Sequence, residues 1–500
     1  MIAIAALSGL SACSQRDAPP SLPDERLDDV PAGFELLARF AHISDAQIID
    51  EQSPARVPQA DDLVTAAWRP QEAYSIQLLD GMIRAINREH EQSGALDFVL
   101  HTGDATDNNQ ANEWRWFLDA FDGLPIDPLT GPDDRAPGDV PTPELDPPAP
   151  FAPAGLYRTG LHGPLPSIPW YAVIGNHDRF AIGVFPILEY AGAARLAPLP
   201  FVYQFVLFYP VFLNPETDQA NGPISPAHPG PLALLNLPQF VEPNPQRRYL
   251  STAETIAVHF DTLTDPPGHG FVNAQSEQSW YSVSPVDGLR LIVLDTARPR
   301  SVAPMLPHHN GTLSAEQFEF LAAELQRAEE ADEWIIVASH HPSADLVQSG
   351  TETTPLQLRA LLSSHPNVVL HLVGHFHRHR VFDRGGYLEI ETGAIIDYPQ
   401  EGRLIEIWQN AAADEVLLRY HLFSHLDVDE AERDALYELR RRAFELARED
   451  AGLTRATVQR RMPADQRAAA ETIGPAIQWL AGRPHDRTGQ IVLSRKRSSK

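Results

Sequence analysis

Six short runs of apolar, largely β-branched residues, each ending in a polar or acidic cluster, constrain the fold of this 500-residue chain more than any other feature. They are "ELLARFAHISD" (35–45), "LDFVLHTGD" (96–104), "PWYAVIGNHD" (169–178), "LRLIVLDT" (289–296), "EWIIVASHHP" (333–342) and "NVVLHLVGHFH" (367–377). Runs of this kind read as buried strands. Open α/β sheets carry their sites at the C-terminal strand ends, where these polar clusters fall. Amphipathic helices lie between the runs. In 72–90, Ile76, Leu79, Ile83 and Ile86 recur at one helical face. Ser314 with Gln317 predicts a capping box, and Phe318, Leu321 and Leu325 a buried stripe. After His377, "YLEIETGAI", "RLIEIWQ" and "EVLLRYHLF" read as successive strands of a second sheet, followed by a helix with Leu436, Leu439, Ala443 and Leu446 on one face.

Composition sets the class. A hydrophobic content of 43% and an aromatic content of 8% are globular values, enough for a sizeable core. With 39 Lys and Arg against 67 Asp and Glu the formal charge is −28, which argues against general binding to a nucleic-acid backbone. The single cysteine, Cys13, excludes intrachain disulfides and a thiolate metal cluster. Residues 2–12, "IAIAALSGLSA", have the length of a signal-peptide apolar region, and "LSAC" at 10–13 resembles a bacterial lipobox. The expectation is a signal peptide over 1–12, lipidation of Cys13 and a polar tether over 13–34, which would place the chain outside the cytoplasm as a periplasmic, membrane-anchored lipoprotein. The alternative is an uncleaved apolar N-terminus. Nothing in the sequence sets an oligomeric state.

The main domain is expected over 35–425, with insertions at about 122–168 and 181–280, and a C-terminal helical extension and tail over 426–500. Residues 122–154 are rich in Pro, Asp and Gly and read as a surface loop. The aromatic run "PFVYQFVLFYPVF" (200–212) either packs the second insertion onto the core or forms a lid or membrane-facing patch. The basic tail "SRKRSSK" (494–500) reads as a solvated terminus or a contact for anionic surfaces.

Collected from the strand ends, Asp45, Asp104, Asn176, His177, His340, His375 and His377 form a convergent set. Each alone is ordinary: a lone His is more often structural, and a strand-end Asp more often caps a turn. Oxygen and imidazole donors at the ends of neighbouring strands nevertheless meet in one place, and carboxylate, amide and imidazole suit Mn, Fe or Zn. His42, His101, His371 and His379 are assigned to structure.

In this order the blocks "DAQ" (45–47), "GDATDN" (103–108), "GNHD" (175–178), "HHP" (340–342) and "GHFH" (374–377) resemble the five-block signature of calcineurin-like metallophosphoesterases. The resemblance implies a four-layer α/β/β/α sandwich of two mixed sheets flanked by helices, and two divalent or trivalent metal ions. It implies that Asp104 bridges the ions, that Asp45, His377 and residue 47 complete one, and that Asn176, His340 and His375 complete the other. His177 would face the phosphate, donating a proton to the leaving group or stabilising its charge, with Asp178 orienting its imidazole. Asp107 and Asn108 would stand behind the ligands or shape their loop, and His341 would stand behind them or contact the substrate. Gln47 occupies a position where an imidazole would grip more strongly. A neutral amide oxygen ligates hard ions weakly, so the first ion would favour Mn or Mg over Zn. The expected activity is phosphoric ester hydrolysis on a phosphate-ester substrate, as a phosphodiesterase or phosphomonoesterase. The alternative is a metal-binding lipoprotein module that keeps the fold without turnover.

Overall fold

Period-two alternation in the apolar runs sends successive side chains to two different cores. In Leu289–Val293, Leu291 and Val293 enter one core and Ile292 the other; in Trp334–Ala338, Ile336 and Ala338 part from Ile335 and Val337 in the same way. A strand buried on both faces has no room for polar residues until it ends. The computed structural model describes the chain from residue 27 to 495, apart from 52, 54–68, 129, 131–150, most of 187–243, 301–307, 349, 351 and 451–472. Cys13, the signal peptide, most of the tether, the aromatic run 200–211 and the basic tail beyond 495 therefore lie outside the described residues.

Twelve strands build two sheets of six: β1 (Glu35–Ile43), β2 (Phe98–His101), β3 (Trp170–Ala172), β4 (Tyr281–Val286), β5 (Leu289–Val293), β6 (Trp334–Ala338), β7 (Val368–Val373), β8 (Arg380–Asp383), β9 (Leu388–Glu391), β10 (Glu401–Asn410), β11 (Glu415–Ser424) and β12 (Gly489–Ser494). The orders are β12-β11-β10-β1-β2-β3 and β4-β5-β6-β7-β9-β8. Both sheets are mixed. Strands β1, β2 and β3 run parallel, as do β5, β6, β7 and β9; the pairs β1–β10, β10–β11, β11–β12, β4–β5 and β8–β9 are antiparallel.

Helices α1 (Ser75–Gln92), α2 (Ala111–Asp122), α3 (Ala315–Glu330), α4 (Pro355–Ser364) and α5 (Ala435–Glu449) complete the layers. The first sheet carries α1, whose Ile76, Leu79, Ile83 and Ile86 are buried, with α2 and α5 beside it. The second sheet carries α3 and α4 through Leu321, Leu325, Leu358 and Leu362. Each such side chain contributes about 1.5–3 kcal/mol relative to exposure. The result is the expected four-layer sandwich.

Three expectations change. The strands after His377 do not form a sheet of their own: β9 joins β7 in the second sheet, while β10 and β11 return to the first beside β1. The C-terminal extension is not only helical. Its last described segment, "GQIVLS", is β12, paired antiparallel with β11, because Ile491 and Leu493 alternate onto the core face. Within the expected second insertion, Leu250, Ile256 and Phe271 are buried and Arg247 is ion-paired to Asp50 at 3.0 Å with both side chains fully enclosed. Ser314 caps α3 by accepting from the Gln317 N–H at 3.3 Å, but the Gln317 amide does not return to Ser314. It reaches instead to the backbone of Asp295, accepting from N and donating to O, both at 2.8 Å.

Candidate metal centre

The parallel strands β1, β2, β3, β6 and β7 all end at one rim, and the loops that leave them turn sharply. Asp45, Gln47, Asp104, His375 and His377 have φ of +54°, +41°, +55°, +70° and +51°. Such left-handed conformers cost side-chain-bearing residues about 1–3 kcal/mol each and gather where a site fixes them. Backbone bonds hold them: Asp45 N–H to Gly103 O at 3.0 Å, Gln47 N–H to Asp104 O at 2.8 Å, and His375 N–H to the Asp45 carboxylate at 3.1 Å. Gly175 is required for lack of space, because a Cβ there would lie 2.0 Å from Asp104 Oδ1 and 2.3 Å from Asp104 N.

Two sets of donor atoms meet at this rim. Asp45, Asp104 and His377 present ligand atoms all within 4.8 Å of one another, as do His340, His341 and His375. Asp104 joins the sets: its Oδ2 lies 3.1 Å from His340 Nε2 and 3.3 Å from Gln47 Nε2. Asn176 Oδ1 lies 3.0 Å from His340 Nε2 and 3.1 Å from His375 Nδ1, and its Nδ2 donates to Gly183 O at 2.9 Å, which turns the oxygen inward. His377 Nε2 lies 3.1 Å from Asp45 Oδ1. His341 is close but committed elsewhere, with Nδ1 2.8 Å from Thr296 Oγ1 and Nε2 donating to His309 O at 3.0 Å.

The electrostatics of the rim call for cations. Burial would lower the His340 imidazole, yet Asp104 and Asp45 outweigh it and hold it up at about 9. His377 is likewise raised against its burial by Asp45 and Asp397. Burial would raise the Asp45 carboxyl, but His377 and His340 hold it well below the usual carboxylate range. Protons on these imidazoles balance the carboxylates, and metal ions would displace them on binding. The donor set fits such ions: two carboxylates, three imidazoles, the Asn176 oxygen, and Gln47, whose buried Oε1 has no hydrogen-bond partner among the described residues.

His177 sits at the edge of the set with its N–H donating to Asp104 Oδ1 at 2.8 Å. Its Nδ1 lies 2.8 Å from the Asp107 carbonyl and 3.3 Å from the Asp107 carboxylate. The expected orienting role of Asp178 is therefore filled by Asp107. Asp178 instead accepts from Thr106 N at 3.0 Å and Gly175 N at 2.9 Å, stapling two site loops together, and burial with Asp104 pushes its carboxyl up to about 7. Asn108 accepts from Ile182 N at 3.1 Å and ties the same loop to the residues beside His177. His42, His101, His371 and His379 lie buried behind the rim; His42, for example, bridges Thr102 and Thr392 at 2.9 Å each.

Sequence reasoning missed three groups. Asp397 Oδ2 lies 2.6 Å from His377 Nδ1 and Asp345 Oδ2 lies 3.5 Å from His375 Nε2, so both imidazoles of "GHFH" have a carboxylate behind them. Asp397 follows the apolar "GAII", the same signal that marked Asp45. Arg179, directly after "GNHD", donates to Asp295 and to Ser279 Oγ, tying this loop to the end of β5.

A family model described as calcineurin-like phosphoesterase matches residues 38–379. A cAMP/cGMP dual specificity phosphodiesterase of Mycobacterium tuberculosis (strain CDC 1551 / Oshkosh) is 38% identical over 95 residues, which are 18% of this chain and 27% of that protein; the match spans little more than a quarter of the relative. Among solved structures, a dimetal phosphatase from Danio rerio is 13% identical with a TM-score of 0.37, covering 77% of this chain and 96% of that one. The anchor protein of the inner membrane complex of Plasmodium is 11% identical with a TM-score of 0.34, covering 83% and 95%.

Proposed function

Because the chain belongs to the calcineurin-like phosphoesterase family, we propose that it hydrolyses a phosphoric ester at a two-metal centre in which Asp104 bridges the ions. Asp45, Gln47 and His377 would hold one ion and Asn176, His340 and His375 the other. The observation that carries this reading is the position of Asp104, which shares one donor set with Asp45 and His377 and places its Oδ2 3.1 Å from Nε2 of His340 in the other. When bound, such ions would lower the pKa of water and neutralise charge on the phosphate.

The protein's own residues supply orientation and proton control. The Asp107 carbonyl can only accept, so His177 Nδ1 carries the proton and donates it, leaving Nε2 toward the phosphate side. Gly183 keeps that side open, since a Cβ there would lie 2.3 Å from His177 Nε2. Burial would lower the His177 imidazole, but Asp104 and Asp107 raise it, and the protonated ring can give a proton or a hydrogen bond to the leaving oxygen. Asn176 contributes an oxygen without charge, so two carboxylates leave a pair of divalent ions net positive toward an anionic ester.

Export and lipid anchoring at Cys13 belong to the same proposal and are supported by "IAIAALSGLSAC". Among the described residues no helix is long and apolar enough to cross a membrane. The test of function is hydrolysis of bis-p-nitrophenyl phosphate and p-nitrophenyl phosphate by the purified chain with added Mn(II), alongside metal analysis. Mn-dependent release of nitrophenol from either ester supports the proposal, and the ratio of the two rates assigns diesterase or monoesterase character. Full metal occupancy with no release from either favours the metal-binding module.

A further inference from the structure

Arg69 belongs to none of the five blocks, yet it lies between two of their imidazoles. Its Nη1 donates to Asp107 Oδ1 at 2.9 Å, and its Nε lies 3.2 Å from Asp397 Oδ1 and 3.4 Å from Asp397 Oδ2. Gln71 Nε2 adds a bond to Asp397 Oδ1 at 2.8 Å. Asp107 backs Nδ1 of His177 and Asp397 backs Nδ1 of His377. His177, Asp107, Arg69, Asp397 and His377 thus form one connected series, in which Nδ1 of His177 bonds the Asp107 main-chain carbonyl while the Asp107 carboxylate, 3.3 Å from the same nitrogen, takes the bond from Arg69; none of the five is more than 5% exposed.

We infer that Arg69 is a positioning residue that holds Asp107 and Asp397 in place behind both imidazoles at once, coupling the group that faces the phosphate to the grip on the first ion. The inference rests on the metal-centre reading above. Two buried carboxylates share one guanidinium, whose planar fork reaches both; a lysine ammonium is a point charge on a single stem and can serve one of them well. Without the guanidinium, Asp107 and Asp397 would lose the cation they share, and their side chains would turn from the positions behind the imidazoles. That movement loosens the Asp397 bond that leaves Nε2 of His377 free for an ion, and shifts the Asp107 segment whose main-chain carbonyl leaves Nε2 of His177 free for the phosphate. No other described arginine bridges the carboxylates behind two of the motif histidines.

The test compares Arg69→Lys and Arg69→Gly with the wild-type chain in three readouts: the dissociation constant for Mn(II) alone, kcat and KM toward bis-p-nitrophenyl phosphate, and recovery on adding guanidinium. Both variants are expected to bind Mn(II) about 10–100-fold more weakly and, with Mn(II) saturating, to lose kcat by a similar factor with little change in KM. Guanidinium is expected to restore Arg69→Gly and not Arg69→Lys. A folded Arg69→Lys with wild-type Mn(II) affinity and wild-type kcat overturns the inference, and this variant decides alone if Arg69→Gly does not fold. A folded Arg69→Gly that guanidinium leaves unchanged overturns it as well. The two readings fail separately: a wild-type chain that hydrolyses neither ester while Arg69→Lys still weakens Mn(II) binding rejects the phosphoesterase proposal and keeps the role of Arg69.

Discussion

The main-chain carbonyl of Asp107 lies 2.8 Å from Nδ1 of His177, so a backbone oxygen 70 residues away fixes which nitrogen of this imidazole faces the pocket. A carbonyl keeps its acceptor at every pH, whereas a carboxylate partner would lose it on protonation. The neighbouring Asp178 is free to do something else, and it joins the Thr106 and Gly175 loops.

From this geometry His177→Ala is expected to lower kcat by about 10²–10⁴-fold, the usual worth of a positioned proton donor, with two metal ions still bound. Metal analysis beside the rate measurement checks it. Loss of an ion in the variant would make His177 a ligand instead.

Gly183→Ala tests the same imidazole from outside. An added methyl would meet His177 Cδ2 and Nε2 at 2.3 Å and Asn176 Nδ2 at 2.7 Å, at a φ of +66°. The expected outcome is a large loss of kcat at saturating metal with the fold retained by circular dichroism. Wild-type turnover would show that the pocket side of His177 is not used.

Gln47→His replaces a weak neutral oxygen donor with imidazole at a position whose Oε1 is buried without a partner among the described residues. Binding of the first ion is expected to tighten and its preference to move from Mn toward Zn, read by competition titration. Unchanged affinity would mean that residue 47 does not touch the ion.

Glu113 gives a pH dependence. It accepts from the N–H groups of Asn108 at 2.9 Å, Asp50 at 3.2 Å and Gln110 at 3.3 Å, and burial with Asp107 pushes its carboxyl up to about 8 from an ordinary 4.5. Between these values the folded chain holds a proton that the unfolded chain releases, so this group's contribution to stability falls as pH rises from about 4.5 to 8. Thermal unfolding of the metal-free protein at pH 5 and pH 8 should show a larger drop for the wild type than for Glu113→Gln. Equal drops would place the Glu113 carboxyl in its ordinary range.

Strand ends were legible in the sequence because burial on both faces forces polar residues to the termini, where Asp45, Asp104, Asn176, His340, His375 and His377 stand. Sheet membership was not: Leu388–Glu391 and Glu401–Asn410 are equally apolar, and only tertiary pairing sends one to β7 and the other to β1. The support behind the ligands was also hidden. Asp397 lies 20 residues beyond His377 and Arg69 lies 38 residues before Asp107, and no spacing rule joins residues that meet only through folded loops. Asp178 was misread for a related reason: adjacency in sequence to His177 is not adjacency of side chains across a turn.

The central claim is that Asp104 bridges two ions that act together on a phosphate ester. Titrating the metal-free chain with Mn(II), while following electron paramagnetic resonance and bis-p-nitrophenyl phosphate hydrolysis in the same samples, tests it most directly. The account predicts that hydrolysis appears with the second equivalent, together with an exchange-coupled signal, and that Asp104→Asn abolishes both. Saturation at one equivalent, or hydrolysis that Asp104→Asn leaves intact, would contradict it.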